Sequence, residues 1–133
     1  MENHNNKIIN VFVGADIKEY SSIYTLVAKM PNGCISFRGP QLIEGTGRTL
    51  TNIKLLALRN FLESAGDFFG KEADGMCLSY WSHDDELAYN WELIQSIGLN
   101  ACDIKHKSLW SQICRDLASY GLTMEIKGGV QAA

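Results

Sequence analysis

Hydrophobic and polar positions in the first forty residues follow a pattern that predicts three β-strands. The segment 7–13, KIINVFV, is rich in β-branched residues and has apolar side chains on both faces, which is typical of a strand buried on both sides. The segment 23–30, IYTLVAKM, alternates as a second strand, and 34–39, CISFRG, follows as a third. Pro-Asn-Gly at 31–33 is a strong turn signal, so we expect the second and third strands to pair antiparallel.

The segment 49–66 predicts the first helix. Its apolar residues recur at the spacing of one helical face, and they are Leu55, Leu58 and Leu62. Thr51 or Asn52 is expected to cap the start of this helix, and Gly66 stands where its end is expected. The preceding segment 40–48, PQLIEGTGR, mixes turn and apolar residues, and we predict it to be irregular.

The rest of the chain predicts a fourth strand, two further helices and a closing strand. These elements are 75–81, 84–98, 108–121 and 122–129, in that order. The predicted order is therefore β-β-β-α-β-α-α-β, without a linker or repeat. This order predicts a single domain over 1–133, with frayed ends at 1–6 and 130–133.

Composition and charge narrow the classes of protein that fit. Of the 133 residues 46% are hydrophobic and 20% charged, as in one globular domain with a core of its own. The net charge of −3 requires any nucleic-acid partner to meet a local basic patch. No apolar run approaches the ~18 residues of a membrane span. The four cysteines form no CxxC pair and the start, MENHNNK, lacks an apolar targeting core, so we expect reduced thiols and a cytoplasmic location.

Three segments, taken with the element order, resemble the ribonuclease H family over about residues 7–129. The closing helix and strand are similar to a family segment that begins near Leu-Trp and ends Val-Lys-Gly-His. The residues in matching places are Leu109, Trp110, Lys127 and Gly128. Thr51 and Asn52 match the start of the family's Thr-Asn-Asn. The junction after the fourth strand resembles the family's Ser-Thr-Asp-Ser, and here it reads Ser82, His83, Asp84 and Asp85.

The resemblance implies an α/β fold, ribonuclease H-like, in which a five-stranded mixed sheet has helices on both faces. It also implies a chemistry in which two divalent cations about 4 Å apart activate water and stabilise the leaving oxygen of a phosphodiester. Hard cations such as Mg²⁺ need several carboxylates. In the family these come from the first strand, the first helix, the end of the fourth strand and a segment after the fifth strand.

The acid set is incomplete in this chain. Asp16 serves for the first strand only if that strand runs two residues longer, since the aligned position falls nearer Gly14. The helix position falls at Leu56, and its neighbours Lys54 and Leu55 are not acids either. After the fifth strand, no acid follows. Mg²⁺ or Mn²⁺ is therefore expected to be held weakly at best.

Asp84 has two interpretations, and both can hold. Its place between a strand and a helix matches a metal ligand of the family, and Asp16 and Asp85 are the candidate ligands that would join it. Asp84 is equally a helix cap, with Asp85 and Glu86 favouring the helix N-terminus.

Polar and basic residues supply candidate contacts to nucleic acid. By the resemblance these are Thr51, Asn52, Lys105, Lys107 and Lys127. The sequence alone leaves three functions open. The first is an impaired domain that binds nucleic acid or a protein, and the second is an active nuclease of RNA–DNA hybrids with a rearranged set from Asp16, Asp84 and Asp85 or Glu86. The third is a structural subunit that binds a protein partner.

Overall fold

The computed structural model describes residues 7–31, 33, 35–69 and 74–127. Within these ranges the predicted order of strands and helices is confirmed. The elements are β1 (Ile8–Ile17), β2 (Ser21–Lys29), β3 (Ile35–Glu44), α1 (Leu50–Phe69), β4 (Cys77–Trp81), α2 (Asp85–Ile97), a 3₁₀ turn (Leu99–Ala101), α3 (Lys107–Tyr120) and β5 (Thr123–Lys127). The predicted frayed segments 1–6 and 130–133 lie outside the described residues.

Three predicted boundaries were wrong. β1 continues to Ile17, past its predicted end at residue 13. β3 continues to Glu44, so most of the segment predicted to be irregular is strand. α1 continues through Gly66 to Phe69, because one glycine costs a helix only about 1 kcal/mol relative to alanine.

The residue that caps α1 also differs from the prediction. The Thr49 hydroxyl accepts a hydrogen bond from the backbone N–H of Asn52 at 3.1 Å. This is the bond that an N-cap side chain makes. The cap is therefore Thr49, and the side chains of Thr51 and Asn52 are free to make other contacts.

The described strands form a five-stranded mixed sheet in the order β3-β2-β1-β4-β5. β1 pairs antiparallel with β2, and β2 with β3. β1 pairs parallel with β4, and β4 with β5. The two parallel pairs bring the carboxyl ends of β1, β4 and β5 to one edge of the sheet, where ligand sites of parallel sheets lie.

One face of the sheet carries the helices. Ile9 and Val11 of β1 are completely buried there. The Tyr24 hydroxyl accepts a hydrogen bond from Asn60 of α1, and the Tyr80 hydroxyl donates one to the carbonyl of Lys54, also in α1. α3 packs on α1, and Trp91 of α2 stacks on Trp110 of α3 with the ring centroids 5.9 Å apart. All three described helices therefore lie on the same side.

The opposite face, which we call the open face, is formed by the alternate residues of the strands. The predicted second layer of helices is not found on this face among the described residues. Its apolar side chains are exposed instead, with Ile8, Ile35 and Leu42 at 38%, 64% and 62%.

The strand pairing predicts a large difference between two glycine substitutions. Gly39 has φ +131°, and a Cβ there would lie 2.9 Å from both Thr25 Cα and the Tyr24 carbonyl oxygen. We expect Gly39→Ala to lower the free energy of unfolding by about 2 kcal/mol, because both backbone strain and a clash result. Gly14→Ala is the control, since a Cβ there meets nothing within 4 Å. Urea denaturation of both variants tests this, and equal losses would contradict it.

Two further features bear on the predictions from composition. No helix in the described ranges is long and apolar enough to cross a membrane. Cys77, Cys102 and Cys114 are free thiols, while Cys34 lies outside the described residues.

Candidate functional site

The junction after β4 is organised around the Asp84 carboxylate. One oxygen, Oδ1, accepts the backbone N–H of Leu87 at 3.0 Å and so caps α2. The other oxygen, Oδ2, accepts the hydroxyl of Thr51 at 2.7 Å. Asp84 is only 8% exposed and Thr51 only 6%. Asp84 therefore links the first turn of α1 to the first turn of α2, and both of its oxygens are engaged.

Lys54 brings a positive charge to the same junction. It lies on α1, one turn after Thr51, and is only 7% exposed. Its Nζ lies 3.4 Å from the carbonyl oxygen of His83, the residue directly before Asp84. Leu55 is completely buried in the core. The resemblance places the family's helix acid at Leu56, with Lys54 and Leu55 as its neighbours. Of these three residues, Lys54 is the one that brings a charged group to the junction.

Tyr80, on β4, holds the turn of α1 that carries Lys54. Burial raises the pKa of its phenol well above the usual value, and the nearby Tyr24 and Asp84 raise it further. The phenol therefore stays protonated and donates at 2.7 Å to the Lys54 carbonyl. This bond fixes the turn of α1 that carries Lys54 against β4.

Asp16 lies on the other side of the sheet. β1 does extend to Ile17, which the use of Asp16 required. Asp16 nevertheless pairs opposite Ile23, whereas its neighbour Ala15 pairs opposite Tyr24, which faces α1. Asp16 is therefore on the open face, where it forms a 3.1 Å ion pair with Lys18, and both side chains are more than 60% exposed.

The structure does not bring the predicted metal ligands together. Asp85, like Glu86, is an exposed acid in the first turn of α2, next to Asp84 in sequence. Within the described ranges no three His, Cys, Asp or Glu side chains converge as a metal site. With Asp16 on the open face, Asp84 engaged and an ammonium group at the junction, the residues present do not fit a pair of Mg²⁺ or Mn²⁺ ions.

Beside this junction lies a basic cluster, which we call the α1–α3 patch: Arg48, Asn52, Lys105 and His106. The Asn52 amide oxygen accepts Arg48 Nη1 at 2.9 Å, and its nitrogen lies 3.4 Å from His106 Nδ1. His106 adopts a left-handed backbone conformation with φ 60° directly before α3, and Lys105 precedes it with an exposed side chain. The patch therefore joins the first turn of a 20-residue helix to the start of α3.

The other three residues predicted to contact nucleic acid lie outside this patch. The Lys107 ammonium donates to the carbonyls of Cys102 and Asn100 at 2.8 and 3.3 Å, so it fixes the loop before α3. Lys127 lies on the open face, over the ring of Trp81. Thr51 is turned inward toward Asp84. Of the five predicted residues, Asn52 and Lys105 belong to the patch.

Among the residues of the site that the sequence did not predict as functional are Arg48 and Lys54. Arg48 precedes α1 in a segment expected to be irregular, and only the folded contact with Asn52 identifies it. The signal available in the sequence was its position just before a helix start, where a cation and free N–H groups together attract anions. In the sequence Lys54 is only a neighbour of Leu56, the position at which the resemblance places the family's helix acid.

The comparisons with known proteins place this geometry in a known fold. No family model matches the sequence, and no curated protein does either. Solved structures do match. The N-terminal RNase H domain of Rv2228c from Mycobacterium tuberculosis, solved as a fusion protein with maltose binding protein, is 10% identical with a TM-score of 0.64. That match covers 93% of this chain and 88% of the other.

Two further solved structures agree. LC11-RNase H1 in complex with an RNA/DNA hybrid is 13% identical with a TM-score of 0.62, over 89% of this chain and 83% of the other. RNase H1 from Halobacterium salinarum is 16% identical with a TM-score of 0.56, over 90% and 83%. At this identity the likeness speaks for the fold and not for the activity. The mixed sheet, the helix order and these matches together give the chain a ribonuclease H-like fold.

Proposed function

We propose that this chain binds nucleic acid through its phosphate backbone at the α1–α3 patch and does not cleave it by the two-metal route. The observation that carries the proposal is the state of the β4–α2 junction. There the buried Lys54, two residues before the position at which the resemblance places the family's helix carboxylate, brings its ammonium group to the junction. The patch beside it keeps cationic and amide donors.

The loss of cleavage follows from charge. Two-metal hydrolysis needs several carboxylates at one point. At the junction Asp84 is the buried acid, and its oxygens already accept two hydrogen bonds. The Lys54 ammonium adds positive charge at the place where cations would have to enter.

Binding at the patch follows from the donors that remain. Arg48 and Lys105 supply two positive charges, and the Lys105 side chain is exposed. The first turn of α1 adds the positive end of a helix dipole. Side-chain cations together with a helix N-terminus are the groups that hold phosphates in protein–DNA contacts. LC11-RNase H1, which shares the fold, is solved with an RNA/DNA hybrid, and this supports a hybrid as the first ligand to test.

The first test is cleavage of an end-labelled RNA–DNA hybrid in Mg²⁺ and then Mn²⁺. We expect the hybrid to remain intact on a denaturing gel while it is bound in the same samples. Cleavage that disappears in Asp84→Asn would contradict the proposal. It would instead support an active nuclease with a rearranged acid set.

The second test concerns the patch and uses fluorescence anisotropy of the labelled hybrid. We expect Lys105→Ala to weaken binding and to reduce the slope of log affinity against log salt by about 1, because one phosphate contact is lost. Lys18→Ala removes the same charge from the open face and is the control. If the two variants bind alike, the patch is not the contact surface.

A further inference from the structure

We propose that the open face carries a second binding site, for single-stranded nucleic acid, built on two stacked rings and two lysines. The site is separate from the α1–α3 patch and does not depend on it. It crosses four strands and consists of Lys29 on β2, Phe12 on β1, Trp81 on β4 and Lys127 on β5.

The register of the sheet aligns these side chains. Phe12 pairs with Trp81 across the parallel β1–β4 contact, and Trp81 pairs with Lys127 across β4–β5. Val27 lies opposite Phe12 on β2, and Lys29 follows two residues later on the same face. Since paired residues point to the same side of a sheet, the row is continuous across its centre.

The two rings form one unit flanked by cations. Phe12 and Trp81 stack with centroids 5.9 Å apart and planes inclined by 16°. Lys29 Nζ lies 5.6 Å from the Phe12 centroid, and Lys127 Nζ lies 5.5 Å from the Trp81 centroid. The Trp81 indole N–H donates to Asn10 at 3.0 Å, which fixes its orientation. Aromatic faces with adjacent cations are the groups on which proteins stack bases and hold the phosphates between them.

The surroundings favour a ligand on this face. A face formed by parallel strands is normally covered, yet Phe12 and Trp81 are partly exposed here. An acid lies beside the row: Glu125 accepts the Ser79 hydroxyl at 2.6 Å and forms a 3.7 Å ion pair with Lys127. Two lysines against one engaged carboxylate leave the row locally positive although the chain is acidic, and this charge selects a polyanion.

The chain carries its own reporter for the test. Of its three tryptophans, Trp91 and Trp110 are 9% and 0% exposed, so quenching by a ligand reports mainly on Trp81. We expect an oligodeoxythymidylate of about 20 nucleotides to quench this fluorescence, since unpaired bases are free to stack. The bases of a duplex are paired and cannot stack on these rings. Absence of oligodeoxythymidylate quenching therefore indicates failure of this site, whereas absence of hybrid binding indicates failure of the α1–α3 patch.

Variants locate the site. By anisotropy, Phe12→Ala with Trp81→Ala should weaken oligodeoxythymidylate binding at least about tenfold. The Lys29→Ala and Lys127→Ala double variant should weaken it and flatten its salt dependence without disturbing the fold. Tyr89→Ala and Lys18→Ala remove an exposed ring and an exposed cation outside the row of Lys29, Phe12, Trp81 and Lys127, and they should change nothing.

Two outcomes would overturn the proposal. One is unchanged oligodeoxythymidylate binding in the Lys29→Ala and Lys127→Ala double variant. This result is informative even if the variants that remove the rings fail to fold. The other is the absence of quenching together with a concentration-dependent dimer that Trp81→Ala abolishes in light scattering. The open face would then be the contact between two copies of the chain.

Discussion

Asp84→Ala is expected to lower the free energy of unfolding by about 3 kcal/mol. Loss of the cap on α2 accounts for about 1 kcal/mol. The rest arises because the buried Thr51 hydroxyl loses its acceptor, and a buried unsatisfied polar group costs about 1–3 kcal/mol. The two bonds measure 2.7 and 3.0 Å, and both partners, Thr51 and Leu87, are nearly completely buried.

Urea denaturation followed by circular dichroism measures this loss, and two controls make it specific. Asp85→Ala removes an exposed acid from the same turn and should cost at most about 1 kcal/mol. Asp84→Asn should also cost little, because an amide caps a helix as well as a carboxylate and can still bond the hydroxyl of Thr51. Equal losses for Asp84→Ala and Asp85→Ala would mean that Asp84 does not link α1 to α2.

The Asp84–Thr51 bond also shows where sequence reasoning stopped. The sequence predicted the cap on α2, since an acid before an apolar helical pattern is a local signal. It could not show that the same carboxylate accepts a hydroxyl 33 residues earlier in the chain. The sequence therefore predicts Thr51 or Asn52 as the cap of α1, a role that Thr49 fills. Local patterns identify candidates for a bond, but only the fold selects among them.

The length of β1 has a similar explanation. The predicted strand ended before Gly14, Ala15 and Asp16, which are poor strand formers. They extend the strand because β2 supplies partners as far as Ser22 opposite Ile17. Pairing overrides weak propensity here, and it also settles the face to which Asp16 points.

Lys54→Glu tests whether the junction binds a metal once a carboxylate replaces the lysine. Without metal, we expect this variant to lower the free energy of unfolding by about 3 kcal/mol. It removes a buried ammonium group and adds a second buried carboxylate beside Asp84, and an uncompensated buried charge costs about 3–5 kcal/mol. Paired carboxylates are also what a hard cation requires. Mn²⁺ at about ten times its dissociation constant should therefore restore about 1.4 kcal/mol. Thermal unfolding with and without Mn²⁺ measures both effects.

Lys54→Met is the matched control, because it keeps most of the side-chain volume and removes the charge without adding an acid. Its stability should stay within about 1.5 kcal/mol of the parent, and its unfolding temperature should not respond to Mn²⁺. The three proteins together separate two accounts of the site. If only Lys54→Glu responds to Mn²⁺, the junction keeps the shape of a metal site and lacks one carboxylate, with the lysine ammonium in the place of a cation. If Mn²⁺ stabilises the parent protein as strongly, Lys54 does not exclude a metal. Asp84 would then be a candidate metal ligand, and the proposal that this chain does not cleave nucleic acid would be contradicted.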